Sequence, residues 1–202
     1  MNGIELSEFN RTHRDAVEFV IAATDDYVAC RCCLLNGLFP GLRLGAEAVE
    51  KYLKAFVLYG DSSLDIRKYN HRIKDLASVA SNLEPGFNAV QFGQVIDRLE
   101  THYRHRYPNV PDFRRDASTA ELVGIDEVVL HICESLPIPE VPKFRNYGYF
   151  FFVFCPWTPP IDSHKKWLEQ ENAALQRVKT LLAQRYQAVE KQLGEPGNYY
   201  RS

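Results

Sequence analysis

The sequence lacks a long apolar run, a strong net charge and an export signal. The longest apolar run, Tyr149 to Cys155, is far too short to span a bilayer as a helix, so we expect no membrane association. The net charge of -2 creates no global attraction for nucleic acid, and any such binding must depend on a local patch. The stretch MNGIELSEFN has no basic segment followed by an apolar one, which predicts a cytoplasmic protein with reduced cysteines.

The sequence also lacks a complete metal or phosphate-loop motif. Cys30, Cys32 and Cys33 include one Cys-x-x-Cys pair, but a zinc site needs about four ligands and no second pair exists. These cysteines lie in a stretch that is typical of a helix interior, where a free thiol acts as a small hydrophobe. The stretch GLFPGLRLG lacks the Lys-Ser/Thr ending of a phosphate loop. We therefore expect no metal and no cofactor.

Apolar residues recur at helical spacing through the first two thirds of the chain, which predicts an all-α bundle of about five helices over residues 1–136. The fifth helix opens with Ser118-Thr119-Ala120-Glu121, a capping-box pattern. The predicted helices run from the cap at Thr12 to Leu35, from Leu42 to Tyr59, from His71 to Leu83, from Asn88 to Arg106, and from Ser118 to Leu136.

The character of the chain changes after this bundle. Residues 137–161 form an arm rich in proline and aromatic residues, 162–194 predict one further helix, and 195–202 a loose tail. The apolar residues of the arm and the last helix need a cover, either the bundle itself or a second copy of the chain. Because isologous dimers are the commonest closed assembly, we expect a homodimer.

The stretch RLETHYRHRYPNVPDFRR, residues 98–115, is a basic patch with five arginines, two histidines and only two acidic residues. Arg98 and His105 are seven residues apart, which returns them to within ~20° of each other on a helix, and His102 lies between them. This flank is expected to avoid the core. The simplest alternative is that it is only a solvated helix face. The candidate phosphate- or base-binding residues are His102, Arg104, Arg106, Tyr107, Arg114 and Arg115.

Four stretches resemble helices of the HEPN superfamily, the higher eukaryotes and prokaryotes nucleotide-binding domain. LGAEAVEKYLKAFVLYG (44–60) is similar to its second helix and DDYVACRCCLLNG (25–37) to its first. HRIKDL (71–76) is similar to its His-Asp-Leu-Lys-Lys-Leu pattern, with Arg72 in place of an Asp, and RYP (106–108) closes the fourth helix in one branch. The resemblance implies an antiparallel helical bundle, usually a homodimer.

The HEPN resemblance also implies binding of RNA or nucleotides. Many members are metal-independent endoribonucleases with toxin or phage-defence roles, and these use an Arg, four to six residues and a His, a spacing that Arg98 and His105 match. In that reading the His moves protons and the Arg stabilises the phosphorane. The alternative is a non-catalytic binding module, paired in some members with a minimal nucleotidyltransferase.

The remaining histidines are weaker candidates. His71 is a secondary candidate, and Arg67 precedes it by too few residues for the ribonuclease spacing. We favour a structural role for His71 at a helix start, with its ring bonded to backbone or to a partner side chain. His13, His131 and His164 have no convincing partners in the sequence.

Overall fold

The computed structural model describes residues 13–104, 119–136 and 166–177. All regular secondary structure in these three ranges is helical, which confirms the predicted all-α class. The predicted arm 137–161, the tail 195–202 and most of the predicted last helix lie outside them. Within the described part of the chain, no helix combines the length and the apolar character that crossing a membrane requires.

Helices α1 (Arg14–Leu35) and α2 (Pro40–Gly60) form a hairpin. The predicted stop at Asn36-Gly37 is confirmed, since Gly37 takes a positive φ of 69°, which glycine adopts without strain. Its N–H donates to the Leu34 carbonyl at 3.0 Å. Pro40 then occupies the first turn of α2, where its missing N–H costs nothing.

Two glycines of α2 let its neighbours approach closely. A Cβ at Gly41 would lie 2.7 Å from the side chain of Leu34 and 2.9 Å from the carbonyl oxygen of Cys30. A Cβ at Gly45 would lie 2.8 Å from the side chain of Ile125. Small residues at these two positions therefore bring α1 and the fifth helix against α2. Cys30 is fully buried inside α1, which confirms its predicted place in a helix interior.

Three further helices pack around α2. They are α3 (Ile73–Leu83), α4 (Gly93–Arg104) and α5 (Thr119–Ser135), and short 3-10 helices at Ile66–Tyr69 and Ala89–Phe92 precede α3 and α4. Helix α2 contacts all four other helices and so forms the centre of the bundle. Its fully buried side chains include Val49, Tyr52, Leu53 and Phe56. Burying a large apolar side chain contributes about 1.5–3 kcal/mol, and this helix therefore anchors the fold.

Two predicted helix starts differ from the structure. The third helix was expected from His71 but begins at Ile73, because His71 turns away to bond a side chain of α2. The fourth helix was expected from Asn88, but α4 begins at Gly93. The Asn88 side chain accepts the Val90 N–H at 3.1 Å and starts a 3-10 turn instead.

The predicted last helix is interrupted within the described residues. Helical turns at 166–169 and 173–177 are separated by a bend in which Glu171 has a φ of 53°. The prediction of one continuous helix over 162–194 is therefore wrong at this point. Asn172 causes the restart, since its side chain accepts the Leu175 N–H at 2.9 Å. Leu168 and Leu175 are buried in the same core cluster as the five helices of the bundle.

Candidate functional site

The last two turns of α4 carry the two described residues of the predicted site. Arg98 forms an ion pair through Nη2 with Oε1 of Glu121, on the first turn of α5. The Glu121 side chain is only 6% exposed, whereas that of Arg98 is 63% exposed. The buried carboxylate thus holds one edge of the guanidinium and leaves most of the group facing solvent.

Glu121 was expected to serve a capping box with Ser118, which lies outside the described residues. Its side chain reaches across to α4 and pairs with Arg98. An acidic residue in the first turn of a helix is favoured by the helix dipole, so this carboxylate also suits its place in α5. Glu121, which the sequence predicts to be part of a local cap, therefore also makes a contact between two helices.

His102 is sheltered, contrary to the expectation that its flank avoids the core. Its side chain is 13% exposed, and its ring meets Phe39 edge-on with centroids 5.8 Å apart. Its Nε2 lies 3.7 Å from Oε1 of Glu121. Phe39 at the start of α2 and Glu121 on the first turn of α5 cover the His102 side of this flank. A helical wheel of α4 alone does not show these neighbours. Of the two predicted flank residues that the structure describes with their side chains, Arg98 keeps the predicted exposure.

The other predicted site residues cannot be placed. His105, Arg106, Tyr107, Arg114 and Arg115 lie outside the described residues, as does the side chain of Arg104. The proximity of Arg98 and His105 consequently stays a prediction from helical spacing.

A second polar cluster surrounds His71. Its Nδ1 lies 2.9 Å from Oε2 of Glu50, and Lys54 donates to the other carboxylate oxygen at 2.6 Å. The ring stacks on Tyr103 of α4, with centroids 4.3 Å apart. The predicted bond from His71 to a partner side chain is confirmed. The carboxylate of Glu50 is 5% exposed, so it has exchanged water for these two donors.

The most deeply buried charge is one that the sequence analysis missed. Arg31 is fully buried and paired with Asp126 of α5. Its Nε donates to the Trp167 carbonyl at 2.7 Å, and its Nη2 to the Gln170 carbonyl. Asp126 also accepts the hydroxyl of Tyr27 at 2.6 Å. The guanidinium therefore binds α1 to α5 and to the C-terminal turns at once.

The buried network around Arg31 shifts the pKa values of Tyr27 and Asp126. Burial and the nearby Asp126 raise the pKa of the Tyr27 phenol well above its ordinary value, so that the hydroxyl stays a donor. Burial raises the pKa of the Asp126 carboxyl, and Arg31 opposes that shift. Asn172 donates to the Tyr27 oxygen at 3.1 Å and completes the network. Every partner of Arg31 is a neighbouring part of the protein, which indicates a structural role.

His131 has partners that the sequence did not reveal. Its ring lies between Phe87 and Phe92, with centroids 5.3 and 5.1 Å away. Its Nε2 faces the N–H of Asn88 at 3.4 Å and the side-chain amide of Gln91 at 3.2 Å. Both groups donate, so Nε2 acts as an acceptor and the ring is neutral. Burial correspondingly lowers the pKa of His131.

Among the described residues, no group of three or more histidine, cysteine or acidic side chains could hold a metal ion. Comparison with known proteins gave no match for this chain among protein-family models, curated proteins or solved structures. The interpretation of the site consequently depends on its own residues.

Proposed function

We propose that this protein is a HEPN-like RNA- or nucleotide-binding protein in which Arg98 contacts a phosphate. The observation that carries the proposal is the ion pair between an exposed Arg98 and a sheltered Glu121. An arginine that only solvates a helix face needs no buried carboxylate. One that must present its planar fork to a phosphate gains from being held in place, because less side-chain entropy is lost on binding.

The chemistry of the proposed site is metal-independent cleavage of RNA. A base removes the proton of the 2'-hydroxyl, whose oxygen then attacks the adjacent phosphorus, while a cation stabilises the phosphorane. The bond from phosphorus to the 5'-oxygen then breaks, an acid gives that oxygen a proton, and a 2',3'-cyclic phosphate remains. Arg98 supplies the cation and His105 the proton transfer. The proposal includes a homodimer, for which light scattering should give twice the chain mass of 23.2 kDa.

A non-catalytic binding module is the second candidate, and the sheltering of His102 favours it. With 13% of its side chain exposed and its ring against Phe39, His102 offers little to a substrate. A single remaining histidine, His105, would then have to carry all the proton transfer. A module of this kind binds RNA, nucleotides or a nucleotidyltransferase partner without cutting.

The two candidates are separated by incubating the purified protein with labelled single-stranded RNA, with and without EDTA. His105→Ala should abolish cutting but leave binding, since the neighbouring arginines keep most of the charge. Arg98→Ala should weaken both, and should reduce the slope of log affinity against log salt by about 0.7. Arg14→Ala is the matched control, because Arg14 is also an exposed arginine paired with a carboxylate, that of Glu18 at 2.9 Å.

Cutting that disappears with EDTA, or that survives in both variants, would refute this mechanism. Binding without cutting would assign the non-catalytic module. Neither binding nor cutting, or equal losses in the Arg14→Ala control, would refute the role of Arg98 altogether.

A further inference from the structure

The cluster around His71 has features that a purely structural histidine does not need. Glu50 is 5% exposed and accepts from both His71 and Lys54, so its carboxylate has a fixed orientation. With Nδ1 of His71 directed at Oε2 of Glu50, the other ring nitrogen, Nε2, is the one that can meet a ligand. Because the carboxylate accepts from Nδ1–H, this bond fixes the orientation of the ring and the direction in which Nε2 points.

The ring is held on one side and open on the other. It stacks on Tyr103, which is itself 7% exposed, with centroids 4.3 Å apart and planes 33° apart. The His71 side chain is nevertheless 49% exposed. The imidazole is thus fixed by a hydrogen bond and by a ring contact while a large part of it faces solvent.

The residues that flank His71 along the chain are basic. Arg67 and Arg72 are 87% and 60% exposed, and each is paired with an aspartate, Asp65 and Asp75. Lys68 lies over the ring of Tyr69, 4.9 Å from its centroid. Exposed basic side chains this close along the chain to an imidazole suit a ligand that carries negative charge.

We propose that His71 is the anchor of a phosphate-monoester site, in which the doubly protonated ring keeps Nδ1–H on Glu50 and donates Nε2–H to the terminal phosphate of a nucleotide or of an RNA end. Glu50 is the positioning residue. This inference rests on the proposed nucleotide- or RNA-binding function and deepens it. The site differs from that of Arg98, because Tyr103 and Arg98 are five residues apart on α4 and hence roughly 140° apart around it.

The test follows the ring resonances of His71 by NMR in the full chain, with AMP, inorganic phosphate and adenosine as probes. AMP and phosphate should shift these resonances in a saturable way, and adenosine should not. His71→Gln keeps a donor for Glu50 but removes the imidazole, and should weaken AMP binding at least about tenfold. His13→Gln is the matched control, since His13 also stacks on a tyrosine, Tyr59 at 5.6 Å, and should leave AMP affinity unchanged.

Two further arms establish the role of Glu50 and the source of the phosphate. Glu50→Gln should change the tautomer pattern of the His71 nitrogens and should also change the affinity for AMP. A merely structural contact would not couple these two readouts. If RNA that carries a 5'-phosphate competes with AMP for the His71 site, an RNA end is the source of the phosphate. If only free nucleotides compete, the source is a nucleotide. RNA with a 5'-hydroxyl should not compete.

Absence of a shift with both AMP and phosphate, or unchanged AMP affinity in His71→Gln, would overturn the proposal. If AMP shifts His71 but the protein neither binds nor cuts RNA, the assignment of Arg98 fails and the His71 site stands. If the protein binds RNA but AMP has no effect on His71, the His71 site fails and the assignment of Arg98 stands.

Discussion

Replacing Arg31 with Met should destabilise the fold by about 3–5 kcal/mol, because it removes one partner of a fully buried ion pair. Methionine matches the length of the arginine stem but has no donors. Asp126 would keep only the Tyr27 hydroxyl, and the Trp167 and Gln170 carbonyls would each lose a donor. Each lost hydrogen bond costs about 0.5–1.5 kcal/mol, and the larger part of the loss comes from the uncompensated carboxylate.

Arg177→Met is the matched control for this variant. Arg177 also joins the C-terminal turns to α5, through Glu127, but its side chain is 58% exposed. An exposed pair of this kind contributes about 0–1 kcal/mol, since water and salt screen it. Each arginine pairs with an acidic residue of α5 and tethers the C-terminal turns, but only the Arg31 pair is buried.

The free energy of unfolding would be measured by urea denaturation, followed by circular dichroism, for the parent and both variants. The double variant Arg31→Met, Asp126→Leu should recover much of the loss, because it removes the unpaired charge together with its partner. Limited proteolysis should also cut near residues 166–177 faster in Arg31→Met than in Arg177→Met.

Equal losses in Arg31→Met and Arg177→Met would refute this reasoning, because burial would then not determine the cost. A double variant as unstable as the single one would show that packing, and not the unpaired carboxylate, causes the loss.

Stability should fall as the pH drops below about 6.5, because burial lowers the pKa of His131 in the folded state and the unfolded chain takes up the proton first. His131→Gln should flatten the plot of urea midpoint against pH, and an unchanged slope would contradict this. Gly41→Ala should cost about 1–3 kcal/mol, since its new Cβ would lie 2.7 Å from the Leu34 side chain. Gly93→Ala, with no atom within 4 Å of its new Cβ, should be neutral or slightly stabilising, and equal melting temperatures for the two glycine variants would argue against tight packing at Gly41.

The helices could be predicted from the sequence because their signals are local. The period of apolar residues in α2 and the Asn36-Gly37 stop after α1 act within a few residues of the positions they specify. The starts of α3 and α4 differ from the prediction where a side chain has another partner. Asn88 caps a 3-10 turn, and His71 bonds to Glu50, a residue of another helix.

The candidate site could be predicted only in part. The exposure of Arg98 follows from its place on the α4 wheel, whereas the sheltering of His102 depends on Phe39 and Glu121, which other helices supply. A helical wheel gives directions around one axis, but it does not say which of these directions a neighbouring helix occupies.

By itself, the sequence determined that the described part of this chain is helical, where most of its helices lie, and that Arg98 is exposed on α4. Only the tertiary structure decided that Arg31 is buried against Asp126, 95 residues further along the chain, and that Asn172 starts a second helical turn after the bend. The reason is physical. Helix formation depends on neighbours within one or two turns, whereas the cost of burying a charge is met by whichever partner the packing of distant segments brings into contact.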